Sequence, residues 1–245
     1  AITLNKAKTK EVLTYHGVPT PHSQVFKTPD EALDERLDFP LIVKPLEDGS
    51  SRGISTDSLV RDEKELANKI TQINTIYNQP ALAEKFLPGR EFTVAVLGNK
   101  KAYTLPIVEI YLHKYPKESR GVYGYEAKTK WEKDEYSGHP EKIDDDLKEK
   151  IIELALKTHE ALDCKDYSRI DIRLDEQGRP NVLEANPLPG LNPKIEAVSY
   201  FPKAARLAGM TFTELINKML AIGLERNGIT EQEGLEKQVS PKAAT

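Results

Sequence analysis

The chain has 245 residues, enough for one or two domains, and its 38% hydrophobic and 30% charged residues exclude collagen-like, low-complexity and wholly disordered classes. A formal net charge of −4 gives no overall attraction to nucleic acid or anionic lipid, so neither is an expected partner. The single cysteine, Cys164, excludes an intrachain disulfide and is expected to be a buried apolar residue. No apolar run reaches the length of a membrane span, and no signal peptide is recognised.

The first third of the chain predicts short helices and strands. Three helices are expected, over 5–16, 29–36 and 62–77. Two strands are expected, at 23–26 and 40–44. Pro45 stops the second strand, and a loop rich in glycine and serine follows at 47–53.

The remaining predicted elements mix strands and helices irregularly. Five strands are expected, at 81–86, 91–97, 102–108, 168–174 and 181–186. Three helices are expected, over 144–162, 198–207 and 213–224. The tail after Asn227 is polar and expected to be loose. This order, with hairpins, favours an α+β fold over a doubly wound sheet.

Residues 109–142 show no clean period, although they hold five of the ten tyrosines and Trp131. A structureless stretch of this length is more often a functional flap than a connection. We therefore predict a flap here.

Two strands in the second half of the chain carry polar side chains at alternate positions. On the first strand, one face comprises Arg169, Asp171 and Arg173. On the second strand, the shared face comprises Val182, Glu184 and Asn186. Hairpin pairing would bring Asp171 near Glu184 and Asn186, a hard-oxygen set that suits Mg²⁺. The alternative, slightly favoured by alternation alone, is a solvated sheet face with one Arg–carboxylate pair.

Two further segments allow two interpretations each. The backbone N–H groups of the 47–53 loop would cradle phosphate with Lys44 adding charge, or Lys44 is a strand-end lysine in solvent. Lys6 is one of several lysines of the first helix and is expected on its solvated face. The Glu84–Leu87 strand end would hydrogen-bond an adenine edge, or it is an ordinary strand-to-loop junction.

Taken in order, these segments resemble the ATP-grasp domain of the D-alanine–D-alanine ligase family, from about Leu4 to Leu224. The resemblance implies an ATP-grasp fold with two α+β subdomains that clamp a nucleotide. They would span residues 1–83 and 84–226, followed by a polar tail at 227–245. It also implies ATP and Mg²⁺ as cofactors, with Mn²⁺ as an alternative, small amino acids as substrates, and a cytoplasmic location.

The resemblance assigns a role to each matching residue. ATP would be bound through Lys6, Lys44, Glu84, Lys85, Phe86, Leu87 and Glu91, the last at the ribose. The metal would be held by Asp171, Glu184 and Asn186. Catalytic roles fall to Ser50, Lys128, Arg169 and the backbone N–H of Gly190. Ser199 and Tyr200 would lie near the acceptor carboxylate.

Three departures bear on the activity. The family has an N-terminal domain before the position of Lys6, which is not in this sequence. Thr129 stands where the family has a tyrosine linked to the serine matched by Ser50. The stretch 191–198 is a few residues longer than usual. The leading interpretation is a carboxylate–amine ligase acting through an acylphosphate to make a cell-wall precursor dipeptide. The alternatives are a sister ligase with another acceptor and a non-catalytic Mg-ATP-binding fragment; the oligomeric state is open.

Overall fold

The computed structural model describes residues 2–49 and 51–229. Its longer helices are α1 (Lys6–Tyr15), α2 (Glu63–Tyr77), α3 (Asp145–Ala161), α4 (Tyr200–Leu207) and α5 (Phe212–Arg226). Its first strands are β1 (Ser23–Phe26), β2 (Leu41–Pro45), β3 (Leu59–Val60), β4 (Ala81–Lys85) and β5 (Glu91–Leu97). The remaining strands are β6 (Tyr103–Thr104), β7 (Val108–Ile110), β8 (Ser137–Gly138), β9 (Tyr167–Leu174) and β10 (Pro180–Asn186).

The strands form two antiparallel sheets. The first has the order β1-β4-β2-β3 and uses residues 23–85. The second has the order β10-β9-β5-β7-β8, with β6 paired to β5. All pairings are antiparallel, so the predicted α+β class is confirmed. Strand β4 runs to Lys85, across the predicted subdomain boundary at 83/84, which stays a prediction.

Apolar periodicity decides how the helices pack. Helix α2 places Leu66, Ile70 and Ile73 against the first sheet. Helix α3 covers one face of the second sheet, with Ile151 fully buried, and α4 covers the other face with Phe201. Much of the second sheet is therefore covered on both faces, and polar side chains in the covered part need partners.

The helix starts follow from capping side chains. Asn5 accepts a hydrogen bond from the Lys8 N–H at 3.0 Å, and Asp62 and Asp144 cap α2 and α3 in the same way at 2.8 Å. A side-chain oxygen satisfies an N–H group that the first helical turn leaves unpaired. These three predicted helices are confirmed within a residue or two.

The predicted helix over 29–36 is wrong. Glu31 accepts hydrogen bonds from the N–H groups of Lys27 and Thr28, and the Gln24 side chain binds the backbone of Ala32 and Asp34. Such side-chain bonds satisfy the backbone without a helix, so the segment forms turns.

The returning strand and the flap also differ from expectation. The predicted strand over 102–108 is split into β6 and the start of β7, and α4 begins two residues later than expected. The flap is not structureless: it contains β7, β8 and several single helical turns, including Ala127–Trp131. Cys164 is buried as predicted, and burial raises the pKa of its thiol. In the residues described, no helix is both long and apolar enough to cross a membrane.

Candidate nucleotide and metal site

The polar face predicted on β9 lies opposite polar residues of β5. Glu91 pairs in register with Arg173, and Thr93 pairs with Asp171. Ile170, Ile172 and Leu174 point to the opposite face and join the core, as alternation predicted. The strand pairing thus gathers these polar groups on one face.

Strand β10 brings the remaining predicted ligands to the same face through a bulge. Glu184 is the register partner of Asp171, and the register shifts between Val182 and Glu184. Because of this shift, Val182 points into the core with Ala185. The prediction that Val182 shares a face with Glu184 and Asn186 is therefore wrong, whereas the two polar residues are brought together as expected.

Asp171 is the best-connected carboxylate of the site. Arg169 binds both of its oxygens, at 2.9 and 2.8 Å, and the Thr93 hydroxyl donates at 2.6 Å. Asn186 donates its amide N–H to the same carboxylate at 3.1 Å. Burial opposes the ionised form, but Arg169 and the hydrogen bonds lower the pKa of Asp171. Asp171 is therefore an anion at neutral pH.

These residues fit a hard divalent cation by donor chemistry. The Asn186 N–H group faces Asp171, which leaves the amide oxygen for a ligand, and Glu184 adds a second carboxylate. Within the described ranges, no three His, Cys, Asp or Glu side chains cluster as a metal site, so the set depends on Asn186 as its third ligand. Direct ligation by Asp171 requires release of one of its present hydrogen bonds.

Two lysines form ion pairs with Glu84 on the first sheet. The Lys10 ammonium lies 2.9 Å from one Glu84 oxygen, and Lys44 binds the other. Burial opposes ionisation, yet the two ammonium groups lower the pKa of Glu84 to about 2. The Glu84 carboxylate is held in this ion pair, and the contact of its backbone with adenine stays a prediction. Lys10 was missed, although its i+4 spacing from Lys6 puts both on one helix face.

Lys6 is tied to the predicted phosphate loop. Its ammonium donates to the carbonyls of Pro45, Leu46 and Asp48, at 3.1, 3.4 and 2.5 Å. Burial and the nearby charge of Lys44 lower the pKa of Lys6 to about 8, while Glu184 raises it in part. Lys6 is thus a buried cation between the two sheets, not a solvated helix residue. Ser50 lies outside the described residues.

The predicted adenine hinge is fixed to the first sheet by its backbone. The Lys85 N–H donates to the His22 carbonyl at 3.0 Å, and the Phe86 N–H donates to the Pro40 carbonyl at 3.2 Å. Leu87 is buried. The Lys85 side chain turns outward to the exposed Glu176, 3.3 Å away. The backbone N–H groups of Lys85 and Phe86 are thus engaged within the first sheet, and the adenine role of the hinge stays a prediction.

The flap is anchored by a cluster of tyrosines around Glu132. Tyr115 and Tyr200 donate to one Glu132 oxygen at 3.0 and 2.8 Å, and Tyr123 binds the other. Lys128 lies on the flap 5.2 Å from the Tyr123 ring. Glu132 and Tyr123 were not singled out from the sequence. The enrichment of tyrosine in 109–142 was the available signal.

The segment predicted to hold the acceptor is joined to the Gly190 loop. The Ser199 hydroxyl donates to the Gly190 carbonyl at 2.5 Å and accepts from the Asn192 N–H at 3.4 Å. Tyr200 starts α4 and sends its side chain into the cluster around Glu132. Gly190, Ser199 and Tyr200 therefore form one connected edge of the site.

Most of the chain is similar in sequence to known ligases. The family profile described as "D-ala D-ala ligase C-terminus" matches residues 11–221. A D-alanine–D-alanine ligase of Pelotomaculum thermopropionicum is 35% identical over 240 residues, covering 94% of this chain and 70% of the relative. An uncharacterized protein of Sinorhizobium fredii is also 35% identical, covering 93% and 66%.

The chain belongs to the D-alanine–D-alanine ligase family.

Solved structures of this family agree with the fold. The D-alanine–D-alanine ligase of Bacillus anthracis complexed with ATP has a TM-score of 0.67 at 26% identity, covering 93% of this chain and 66% of that one. VanG D-Ala:D-Ser ligase of Enterococcus faecalis has a TM-score of 0.71 at 26% identity, covering 91% and 62%. The ATP-grasp fold predicted from the sequence is thereby confirmed. The chain spans about two thirds of the length of these ligases.

Proposed function

We propose that the chain is an ATP-dependent carboxylate–amine ligase that works through an acylphosphate. The observation that carries the proposal is the meeting of two opposite sets of charges. On α1 and the first sheet lie the buried residues Lys6, Lys10 and Lys44. The acidic set lies on the second sheet and includes Glu184, whose charge raises the pKa of Lys6. This arrangement suits a polyphosphate bound together with a cation. The ATP complex of the Bacillus anthracis ligase supports the same assignment.

The chemistry follows from what these side chains do to moving charge. A substrate carboxylate attacks the γ-phosphorus of ATP, ADP leaves, and an acylphosphate forms. An amine then attacks the acyl carbon, and phosphate leaves as the amide forms. Lys6 and Lys44 would offset the charge of the phosphoryl group, and Arg169 with the Gly190 N–H would stabilise the oxyanion. The flap that carries Lys128 would exclude water from the acylphosphate.

Asp171, Glu184 and Asn186 would hold Mg²⁺, or Mn²⁺ in its place. When bound, the cation would neutralise negative charge on the phosphates.

Thr129 favours one further candidate, a sister ligase with an acceptor other than D-alanine. Thr129 uses its hydroxyl to bind the Tyr125 carbonyl at 2.7 Å within the flap, so it is engaged locally. The similarity to a D-Ala:D-Ser ligase shows that this fold accompanies more than one acceptor. D-alanine with D-alanine remains the first pair to test, with a role in cell-wall precursor synthesis in the cytoplasm.

The decisive experiment is phosphate release from Mg-ATP, with and without D-alanine and with a panel of other amino acids, with products identified by mass spectrometry. We expect release that depends on D-alanine and yields the dipeptide. Release with a different amino acid would identify the sister ligase. Mg-ATP binding without release under any condition would contradict the ligase proposal and identify a nucleotide-binding fragment.

A further inference from the structure

A buried arginine lies between the two groups predicted to bind the nucleoside. Arg173 on β9 has a side chain only 7% exposed, and its Nη1 donates to Glu91 at 3.1 Å. Its Nη2 donates to the Gly121 carbonyl within the flap, at 2.9 Å. Its guanidinium carbon lies 4.9 Å from the centre of the Phe86 ring on the hinge. One side chain thus contacts the hinge, the predicted ribose ligand and the flap.

The hydrogen bonding of this arginine is incomplete. Its Nε–H is buried and has no hydrogen-bond partner among residues 2–49 and 51–229. Buried donors are almost always paired in folded proteins, so an unpaired one needs an explanation. A bound molecule that supplies an acceptor atom gives that explanation, because the neighbouring groups are those predicted to hold a nucleoside.

The same guanidinium pairs with Glu91 and favours its ionised form. Burial raises the pKa of Glu91, and the charge of Arg173 opposes this rise. Without the arginine, the carboxylate would lose its buried partner, and a protonated Glu91 is a weaker acceptor for sugar hydroxyls.

We propose that Arg173 is a nucleoside-contacting residue: its Nε–H donates to the base or ribose of ATP, and its guanidinium holds Glu91 ready for the ribose hydroxyls. This inference rests on the proposed ATP site and adds the residue that recognises the nucleoside rather than the phosphates. The lysines near Glu84 bind the phosphates, whereas the contact of Arg173 with the nucleoside lets the site distinguish a nucleotide from a bare polyphosphate.

The test measures the contributions of the nucleoside and of the phosphates to binding separately, in the full chain. Dissociation constants for Mg-ATP and for Mg-tripolyphosphate are measured by calorimetry on the parent, Arg173→Met and Arg173→Lys. We expect Arg173→Met to weaken ATP binding by about ten-fold or more, because a charged hydrogen bond and a stacking contact are lost, and to leave tripolyphosphate binding within about two-fold. Arg179→Met is the matched control, since Arg179 is 72% exposed in the β9–β10 turn.

Arg173→Lys keeps the result decisive if Arg173→Met does not fold. Lysine retains the charge beside Glu91 but lacks the Nε–H and the planar face, so ATP binding should still fall by about three-fold or more, with tripolyphosphate unchanged. Equal ATP affinity in the parent and the folded variants would overturn this inference and leave the proposed function intact. Failure of the parent to bind either ligand would instead overturn the proposed function.

Discussion

Lys6 and Lys10 are buried, and their protonation depends on the groups that surround each ammonium. Lys10 is buried, and burial lowers its pKa even though Glu84 opposes this change. The Lys6 ammonium donates to three backbone carbonyls, and no carboxylate of the described residues lies within ion-pair distance of it. A polyphosphate would supply the missing negative charge at Lys6.

Lys6 is expected to take up a proton when ATP binds. Its pKa of about 8 means that it is largely neutral at pH 8.5 in the free protein, whereas phosphate oxygens favour the ammonium. Calorimetry in buffers of different ionisation enthalpy should give an uptake of about 0.7 proton at pH 8.5 and about 0.1 at pH 7. Lys6→Met should remove the uptake; equal uptake in this variant would assign it to another group.

Glu84→Gln should destabilise the protein by about 3 kcal/mol at pH 7, because two buried ammonium groups lose their partner. The folded-state pKa of about 2 lies below the usual 4.5, so the carboxylate's contribution is present above about pH 4.5 and is lost as the pH falls towards 2. Urea unfolding at pH 7 and pH 3 measures both effects.

The control for this change is Glu176→Gln. Glu176 is 46% exposed and pairs with Lys85 at the surface, so its loss should change stability by less than about 0.5 kcal/mol. A Glu84 variant that behaves like the control would show that the buried pair contributes nothing to stability.

At the scale of elements, the flap is held by side chains rather than by a long sheet. Strand β8 contributes only two residues, paired to β7. The cluster around Glu132 joins the flap to α4 through Tyr200, and Lys203 of α4 binds Asp134 and Ser137 of the flap. A segment attached in this way opens locally at low free energy.

Glu132→Gln should therefore loosen the flap. Loss of a charged acceptor for three tyrosine hydroxyls should raise the rate of limited proteolysis within 109–142 by about ten-fold, and ATP should slow cleavage in the parent. Glu135→Gln is the matched control, since Glu135 is 71% exposed on the same flap. Equal cleavage rates in the two variants would show that the cluster does not hold the flap.

At the scale of the whole molecule, the lysines belong to α1 and the first sheet, and the acidic residues belong to the second sheet. A ligand that binds both sets joins the two sheets. Mg-ATP at about 100 times its dissociation constant should therefore stabilise the fold by about 2.7 kcal/mol, which corresponds to a rise in Tm of about 5–10 °C.

Glu184→Ala should abolish the part of this rise that depends on the metal, and chelation of Mg²⁺ by EDTA should do the same in the parent. Glu149→Ala, on the exposed face of α3, should keep the full rise. Thermal unfolding with ATP, Mg²⁺ or both measures the effect. A full Mg-dependent rise in the Glu184 variant would show that the metal is held elsewhere.

The sequence by itself determined the elements whose signals are local. Caps at Asn5, Asp62 and Asp144, and the apolar stripes behind them, depend only on residues three or four apart. The alternation on β9 depends on strand geometry alone, and so the polar face with Arg169, Asp171 and Arg173 was predicted correctly. The order of the motifs was enough for the family and its ATP-grasp fold.

Only the tertiary structure decided which charged groups meet. The bulge before Glu184 turned Val182 into the core, a register shift that alternation cannot reveal. The pairing of Lys10 with Glu84 and of Arg173 with Glu91 joins residues far apart in the chain. Local patterns indicate which face a side chain occupies, but the partner, the burial and hence the pKa are set by the strands and helices that pack against that face.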